Sequence, residues 1–297
     1  MASDGERPAT RTRRLLAELG LRPRRERGQN FLIDPSIAER TAELVCEGGR
    51  PRVLEIGAGL GSLTGPLAAR AETVVALELQ PEFAQALGCL FADSPHVTVV
   101  EGDALRVDLG GLTAGCSGEW RVAGNLPYYA ASAIVLRLFE AKPPFERIVV
   151  MVQREVGERL AAQPGDEQYG SLSVVSAYHL SSVQTAIRVP RGAFYPQPKV
   201  DSVVLALWPR RDPWTGVRDE ALLFEVIRTG FGQRRKQLTN TLARAARLGP
   251  IDRSIADAAL LAAGIAPQAS AENVGLEGFI ALSNALSESG VRVVASR

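Results

Sequence analysis

The predicted fold of this chain follows from one stretch, Arg52-Val53-Leu54-Glu55-Ile56-Gly57-Ala58-Gly59-Leu60-Gly61. Val53 to Ile56 is an apolar run with a single acid, which is typical of a short buried strand. The glycines follow directly, and the residues after them up to Arg70 have the spacing of a helix. Such a strand, glycine turn and helix predict a cofactor site, because the helix N-terminus offers free N–H groups and glycine lets a ligand approach the backbone.

Carboxylates follow the next two predicted strands. Glu78 ends the strand that starts at Thr73. Its separation from Gly57 in the sequence is close to the roughly 20 residues that are typical of an acid that accepts hydrogen bonds from ribose hydroxyls. Asp103 follows the strand from Val97 to Val100. The glycine pattern is G-x-G-x-G, and Ser62 stands where a dinucleotide site has its third glycine. This counts against a dinucleotide-dependent oxidoreductase, which we keep as an alternative from another class.

A second stretch, Asn125-Leu126-Pro127-Tyr128, follows a predicted buried strand from Trp120 to Ala123. Asn125 offers an amide oxygen. Pro127 lacks an N–H and favours an extended Leu126, so the Leu126 carbonyl can project as a second acceptor. Tyr128 offers a stacking face. Two acceptors beside a ring suit the exocyclic amine of a flat base. Taken alone, however, these four residues are better explained as a proline turn that packs on a core tyrosine.

The order of the segments predicts two domains. Strands alternate with helices from 52 to 152, which indicates a parallel, doubly wound α/β sheet. Two further strands, 183–189 and 203–208, flank a proline-rich loop, and 172–180 is ambiguous between helix and strand. Beyond a linker at 212–216, periodic segments near 219–231, 234–247, 252–263 and 276–286 predict a small helical domain. The predicted division is a basic segment 1–27, an α/β domain 28–211 and a helical domain 217–297.

Charge is unevenly distributed over the 297 residues, although the formal net charge is +1. Residues 1–27 contain eight arginines and four acids, and residues 228–250 contain six basic side chains and no acid. Such patches favour a polyanionic partner, although a solvated helix face explains either patch alone equally well.

Other composition features limit the class of protein. Three distant cysteines and two histidines argue against a structural zinc site, so we expect no metal. A reduced, cytoplasmic compartment fits this cysteine usage. No apolar run has the length of a membrane span, so we expect no membrane partner.

Four stretches, in this order, resemble the ribosomal RNA adenine N6-dimethyltransferases, and within them the bacterial small-subunit (kasugamycin-sensitivity) type. They are Gly28-Gln29-Asn30-Phe31-Leu32, Glu55-Ile56-Gly57-Ala58-Gly59-Leu60-Gly61, Asn125-Leu126-Pro127-Tyr128 and Phe194-Tyr195-Pro196-Gln197-Pro198-Lys199-Val200-Asp201-Ser202. Supporting stretches are 153–160, 169–174 and 231–238, so the resemblance covers nearly the whole chain. One departure is that residues 129–133 lack the Ser-Thr-Pro run of some members.

The resemblance implies a class I S-adenosylmethionine methyltransferase, with a Rossmann-like, seven-stranded, mainly parallel sheet and a small C-terminal all-α domain. The residues implied to bind the cofactor S-adenosyl-L-methionine are Asn30, Leu32, Gly57, Glu78, Asp103 and Asn125. Asn125 and the Leu126 carbonyl would also accept the amine hydrogens of the target base. Tyr128 and Phe194 would sandwich the flipped adenine; without the resemblance, Phe194 is better explained as a core aromatic.

The function implied is dimethylation of N6 of two adjacent adenines in a 3′-terminal hairpin of 16S (small-subunit) ribosomal RNA during small-subunit maturation. The partner would be the immature 30S subunit, and we expect a monomer. Two alternatives remain open. One is methylation of 23S ribosomal RNA, which gives macrolide resistance. The other is a ribosome-assembly factor that acts mainly by binding.

Overall fold

The structure, a computed structural model, describes residues 8–21, 23, 29–113, 119–141, 145–212 and 214–294. Residues 1–7, 22 and 24–27 of the predicted basic segment, and Gly28 of the first motif, lie outside the described residues. The chain divides into two compact units. The first is Met1–Gly157 with Ser181–Pro209, and the second is Glu158–Leu180 with Arg210–Arg297.

A seven-stranded sheet forms the first unit. Its strands are β1 (Arg52–Ile56), β2 (Thr73–Glu78), β3 (Val97–Glu101), β4 (Trp120–Asn125), β5 (Arg147–Gln153), β6 (Leu180–Val189) and β7 (Ser202–Pro209). They lie in the order β3-β2-β1-β4-β5-β7-β6. Neighbours from β3 to β5 are parallel, and β7 is antiparallel to β5. The predicted seven-stranded, mainly parallel sheet is therefore confirmed.

Helices cover this sheet and bury its apolar strands. The first helix of the chain, α1 (Pro8–Glu18), packs instead through Leu16 on Phe31 and Phe83. The helices on the sheet are α2 (Pro35–Cys46), α3 (Thr64–Ala68), α4 (Pro81–Leu90) and α5 (Ala131–Phe139). The helix α2 begins where the Asp34 carboxylate accepts the backbone N–H groups of Ser36 and Ile37. Its buried face joins a cluster with Val53 and Val74 of the sheet. Because the central strands are covered in this way, they are almost continuously apolar.

The second unit is helical. The helix α6 (Arg154–Ala161) crosses its boundary, and α7 (Ser171–His179), α8 (Glu220–Gly232), α9 (Leu238–Leu242), α10 (Arg253–Ala262) and α11 (Leu276–Glu288) follow. Residues 158–180 belong to this unit, which differs from the predicted boundary at 211. The reason is that Tyr169 and Val174 are buried in its core, and the Tyr169 hydroxyl donates to the Val274 carbonyl at 2.8 Å.

Two segments differ from their sequence-based prediction. Most of the ambiguous stretch 172–180 belongs to the helix α7, which ends at His179. The last residue of the stretch, Leu180, begins the strand β6. The helix predicted over 234–247 is reduced to α9, because Gln237 forms a β-bridge with Ser270 and the Leu238 N–H donates to the Ala269 carbonyl. None of the helices within the described ranges is long and apolar enough to cross a membrane.

Candidate active site

The carboxyl ends of adjacent parallel strands meet at one edge of the first unit's sheet. Glu55 lies near the end of β1, Glu78 ends β2, Asp103 follows β3 and Asn125 ends β4. All four residues line one cavity of about 220 Å³. Ligand sites in open α/β sheets occur at this edge, so the topology makes the cavity the first candidate for a cofactor site.

The glycine loop after β1 forms one wall of this cavity. Gly57, Gly59 and Gly61 have φ angles of +74°, +56° and +79°, in the left-handed region that favours glycine. The N–H of Gly59 donates to the Glu78 carboxylate at 2.8 Å, and the N–H of Gln80 donates to its other oxygen at 2.9 Å. Glu78 therefore fixes the loop as well as facing the cavity.

The acids of the cavity differ in their surroundings. Glu55 is only 1% exposed, and burial raises its pKa to about 7, with the neighbouring Glu78 charge adding to the shift. Burial also raises the pKa of Glu78, against its backbone hydrogen bonds. Asp103 is more open, and its carboxylate accepts the Leu105 N–H at 2.9 Å. Oε2 of Glu55 is buried and has no hydrogen-bond partner within the described ranges, which is unusual for a carboxylate oxygen.

Asn125 is held by a residue from the start of the chain. Its side-chain Nδ2 donates to the Asn30 carbonyl at 3.0 Å, which leaves its Oδ1 as the acceptor of the amide. The next N–H, that of Leu126, donates to the Met151 carbonyl at 3.0 Å. Both Asn125 and Leu126 line the cavity. The end of β4 therefore presents its acceptors from a fixed backbone.

A short ladder joins two of the sequence motifs. Phe31–Leu32 pairs antiparallel with Phe194–Tyr195, in the register Phe31 to Tyr195 and Leu32 to Phe194. The Ile33 N–H extends the pairing by donating to the Ala193 carbonyl at 2.8 Å. This ladder places Asn30, Phe31 and Leu32 on the cavity.

Of the predicted site residues, Asn30, Leu32, Gly57, Glu78, Asp103, Asn125 and Leu126 come together at the cavity, and Tyr128 and Phe194 do not line it. The Tyr128 hydroxyl is hydrogen-bonded to the Ser202 Oγ at 2.7 Å. Phe194 is 2% exposed and packs in the same cluster as Leu32 and Ala193. In this structure Phe194 has the surroundings of a core aromatic, because the ladder directs its ring into the cluster below α2.

Some lining residues were not predicted. Glu55 was noted only as part of the motif, although an acid inside an apolar strand is itself a signal. Phe31 and Phe83 form an edge-to-face pair with ring centroids 5.5 Å apart on the cavity wall. Tyr129 also lines the cavity and is 59% exposed; its position directly after Tyr128 gave no separate signal.

These residues fit S-adenosylmethionine. The carboxylates of Glu78, which ends β2, and Asp103, which follows β3, could accept hydrogen bonds from ribose hydroxyls and an adenine amine, and the wall of Phe31, Leu60 and Phe83 is apolar. The Glu55 oxygen that has no hydrogen-bond partner in the described part of the chain is a further polar atom beside this wall. When bound, this cofactor supplies a methyl group that is already activated on its sulfonium.

Comparisons with known proteins agree with this site. The family model described as ribosomal RNA adenine dimethylase matches residues 20–286. The chain is 42% identical to the "Ribosomal RNA small subunit methyltransferase A" of Moorella thermoacetica, over 93% of this chain and 96% of that protein. It is 40% identical to the protein of the same name from Bacillus mycoides, over 93% and 95% of the two chains.

Two solved structures share the fold. A dimethyladenosine transferase from Plasmodium falciparum superimposes with a TM-score of 0.73 at 23% identity, covering 88% of this chain and 98% of that one. The 23S rRNA methyltransferase ErmE superimposes with a TM-score of 0.62 at 28% identity, covering 87% and 100%. The match of the family model and the 42% identity to the Moorella thermoacetica protein show that the chain belongs to the ribosomal RNA adenine dimethylase family.

Proposed function

We propose that this chain uses S-adenosylmethionine to dimethylate N6 of two adjacent adenines in a 3′-terminal hairpin of 16S ribosomal RNA during small-subunit maturation. The observation that carries the proposal is the Asn125–Asn30 hydrogen bond at 3.0 Å, which fixes an amide oxygen at the cavity. A positioned acceptor is what a delocalised amine nucleophile requires.

The adenine amine is a poor nucleophile because its lone pair is delocalised into the ring. In the first of the two transfers, Asn125 Oδ1 and the Leu126 carbonyl accept its two hydrogens, which draws the nitrogen toward tetrahedral geometry and aims its lone pair. Since the Asn125 amide nitrogen donates to Asn30, we assign its oxygen to the amine as the acceptor of this side chain. Positioning supplies most of the catalysis. The amine becomes acidic once its nitrogen has bonded to the methyl carbon, so it releases one proton to water and no strong general base is required.

The target adenine has to leave its stack, which costs a few kcal/mol. We assign the stacking faces to Tyr128 and Phe194. The Tyr128 ring is fixed through its hydroxyl by Ser202 at 2.7 Å. Phe194 is 2% exposed, so its contact with the base requires the Phe194 side chain to turn out of the cluster below α2.

The helical unit supports the assignment of an RNA substrate. Arg235, Lys236 and Arg244 are exposed, and none of them forms an ion pair within the described part of the chain. Arg234, in the same basic run, is engaged instead: it pairs with Glu272 and donates to the carbonyls of Asp166 and Glu167. We therefore assign phosphate contacts to the three exposed side chains and a structural role to Arg234.

The comparisons favour the small-subunit substrate over the large-subunit one. The relatives named for the small subunit are 40–42% identical to this chain, whereas the 23S enzyme is 28% identical. The assembly-factor alternative predicts binding without methyl transfer, and the acceptors and acids kept at the cavity favour catalysis. We also propose that the enzyme acts as a monomer on the immature 30S subunit.

The test is transfer of labelled methyl groups from S-adenosylmethionine to unmodified small subunits, with large-subunit RNA assayed in parallel. We expect label only in the small-subunit RNA. Label in the large-subunit RNA alone would assign the chain to the 23S activity. Tight binding to small subunits without label would support the assembly factor.

A further inference from the structure

The helix α1 lies on the outside of the cofactor cavity's wall. Its buried residues Thr12 and Leu16 are one turn apart, and Leu16 packs with Phe31 and Phe83. Phe31 and Phe83 in turn line the cavity. The position of α1 is therefore fixed by the same aromatic pair that closes the cofactor site.

The next residue on this helix, Arg13, reaches the short ladder. Its guanidinium carbon lies 4.9 Å from the centroid of the Tyr195 ring. Tyr195 pairs with Phe31 and directly follows Phe194, to which we assign a stacking face. Arg13 is thus held beside the segment that receives the target base.

Arg13 has no acidic partner among the residues that the structure describes. Arg13 is exposed and forms no ion pair in the described ranges, whereas the next residue, Arg14, pairs with Glu18 at 3.8 Å. A guanidinium stacked on a ring keeps its N–H groups free at its edge, where they match the oxygens of a phosphate. Arg13 does not line the cofactor cavity, and S-adenosylmethionine carries no phosphate.

We propose that Arg13, positioned by the Tyr195 ring, binds a backbone phosphate of the RNA next to the target adenine. This inference rests on the proposed function. It gives α1 two roles: its inner face supports the cofactor wall, and its Arg13 contacts the substrate. The contact adds affinity for RNA of any sequence and fixes the backbone beside the nucleotide that is flipped.

The test compares Arg13→Gln, Arg13→Lys and Arg14→Gln in the full chain. The readouts are KM and kcat for small subunits, the salt dependence of RNA binding, and the Kd of S-adenosylmethionine. For Arg13→Gln we expect KM to rise about 10-fold and the salt slope to fall by about 1, with kcat and the cofactor Kd within about twofold of wild type. Arg13→Lys keeps the charge and should keep the salt slope, with a smaller rise in KM. Arg14→Gln should change the slope by less than half as much as Arg13→Gln.

An unchanged salt slope in Arg13→Gln would overturn the inference. So would equal effects of the Arg13 and Arg14 variants, or a loss of cofactor affinity as large as the loss of RNA affinity, which would indicate a purely structural role for Arg13. These outcomes are separate from failure of the proposed function, in which the wild-type protein would not methylate small subunits at all.

Discussion

The side chain of Asn125 donates a hydrogen bond to the backbone carbonyl of Asn30 at 3.0 Å, across 95 positions of sequence. This contact joins the end of β4 to the segment that enters the short ladder, so the first and third sequence motifs meet at one atom pair. The contact also orients the Asn125 amide. Its nitrogen donates to Asn30, and its oxygen is left as an acceptor for the substrate.

Removing this amide should abolish catalysis without abolishing RNA binding. In Asn125→Ala, we expect kcat to fall about 100-fold or more, because a positioned acceptor for the reacting amine is lost. Since the phosphate contacts lie elsewhere, the Kd for small subunits should change less than about threefold. Single-turnover methyl transfer and filter binding measure the two quantities, and equal losses in both would contradict the role given to Asn125.

Glu78 should control cofactor affinity, because it faces the cavity and accepts the N–H groups of Gly59 and Gln80. We expect Glu78→Gln to raise the Kd of S-adenosylmethionine about 10-fold or more, since it weakens hydrogen bonds to a charged acceptor. Glu101→Gln is the matched control, because Glu101 is the strand-end acid paired with Glu78 in the sheet and is exposed. Calorimetry should find its Kd unchanged; a similar loss in both variants would refute a specific role for Glu78.

Stability should fall as pH rises through the range in which Glu55 titrates. Burial raises the pKa of Glu55 from 4.5 to about 7, so between these values the folded state keeps a proton that the unfolded state releases. The free energy of unfolding should therefore decrease by up to about 3 kcal/mol from pH 4.5 to 7 on this account. Urea unfolding of Glu55→Gln should give a flatter profile over this range, and a profile as steep as wild type would contradict this assignment.

Phe194 can be tested both as a core residue and as a stacking residue. Phe194→Leu keeps much of the buried volume, so we expect a loss of less than about 1.5 kcal/mol in the free energy of unfolding. Loss of base stacking would lower kcat/KM by roughly 10-fold or more, since stacking contributes about 1–3 kcal/mol per base. Urea unfolding and steady-state kinetics measure these effects. A kcat/KM that stays at the wild-type value would leave Phe194 as a core aromatic only.

The basic run of the helical unit should divide into binding and structural residues. Lys236→Gln should reduce the salt slope of RNA binding by about 1 and leave the melting temperature unchanged. Arg234→Gln should lower the melting temperature by several degrees, because it removes the contacts to Glu272 and to the carbonyls of residues 166 and 167. The reverse pattern would show that the two roles are assigned to the wrong residues.

The sequence was sufficient for those site residues whose position depends on local structure. Glu78, Asp103 and Asn125 end or follow strands, and parallel strands bring their carboxyl ends to one edge whatever the remaining packing is. The burial of Phe194 depends instead on its pairing with Leu32, which is far away in sequence. In the same way, the shortening of the helix predicted over 234–247 depends on the bridge from Gln237 to Ser270. Such long-range pairings leave no periodic signal in the segment itself.

Mapping the modified nucleotides in small-subunit RNA is the direct test of the proposed methyl transfer. Unmodified small subunits are incubated with the enzyme and S-adenosylmethionine, and the 3′-terminal hairpin is then analysed by nuclease digestion and mass spectrometry, with Asn125→Ala as the inactive control. We expect two adjacent N6-dimethyladenosines in that hairpin and none with the variant. Methyl groups at other positions, on another base, or only in large-subunit RNA would contradict it.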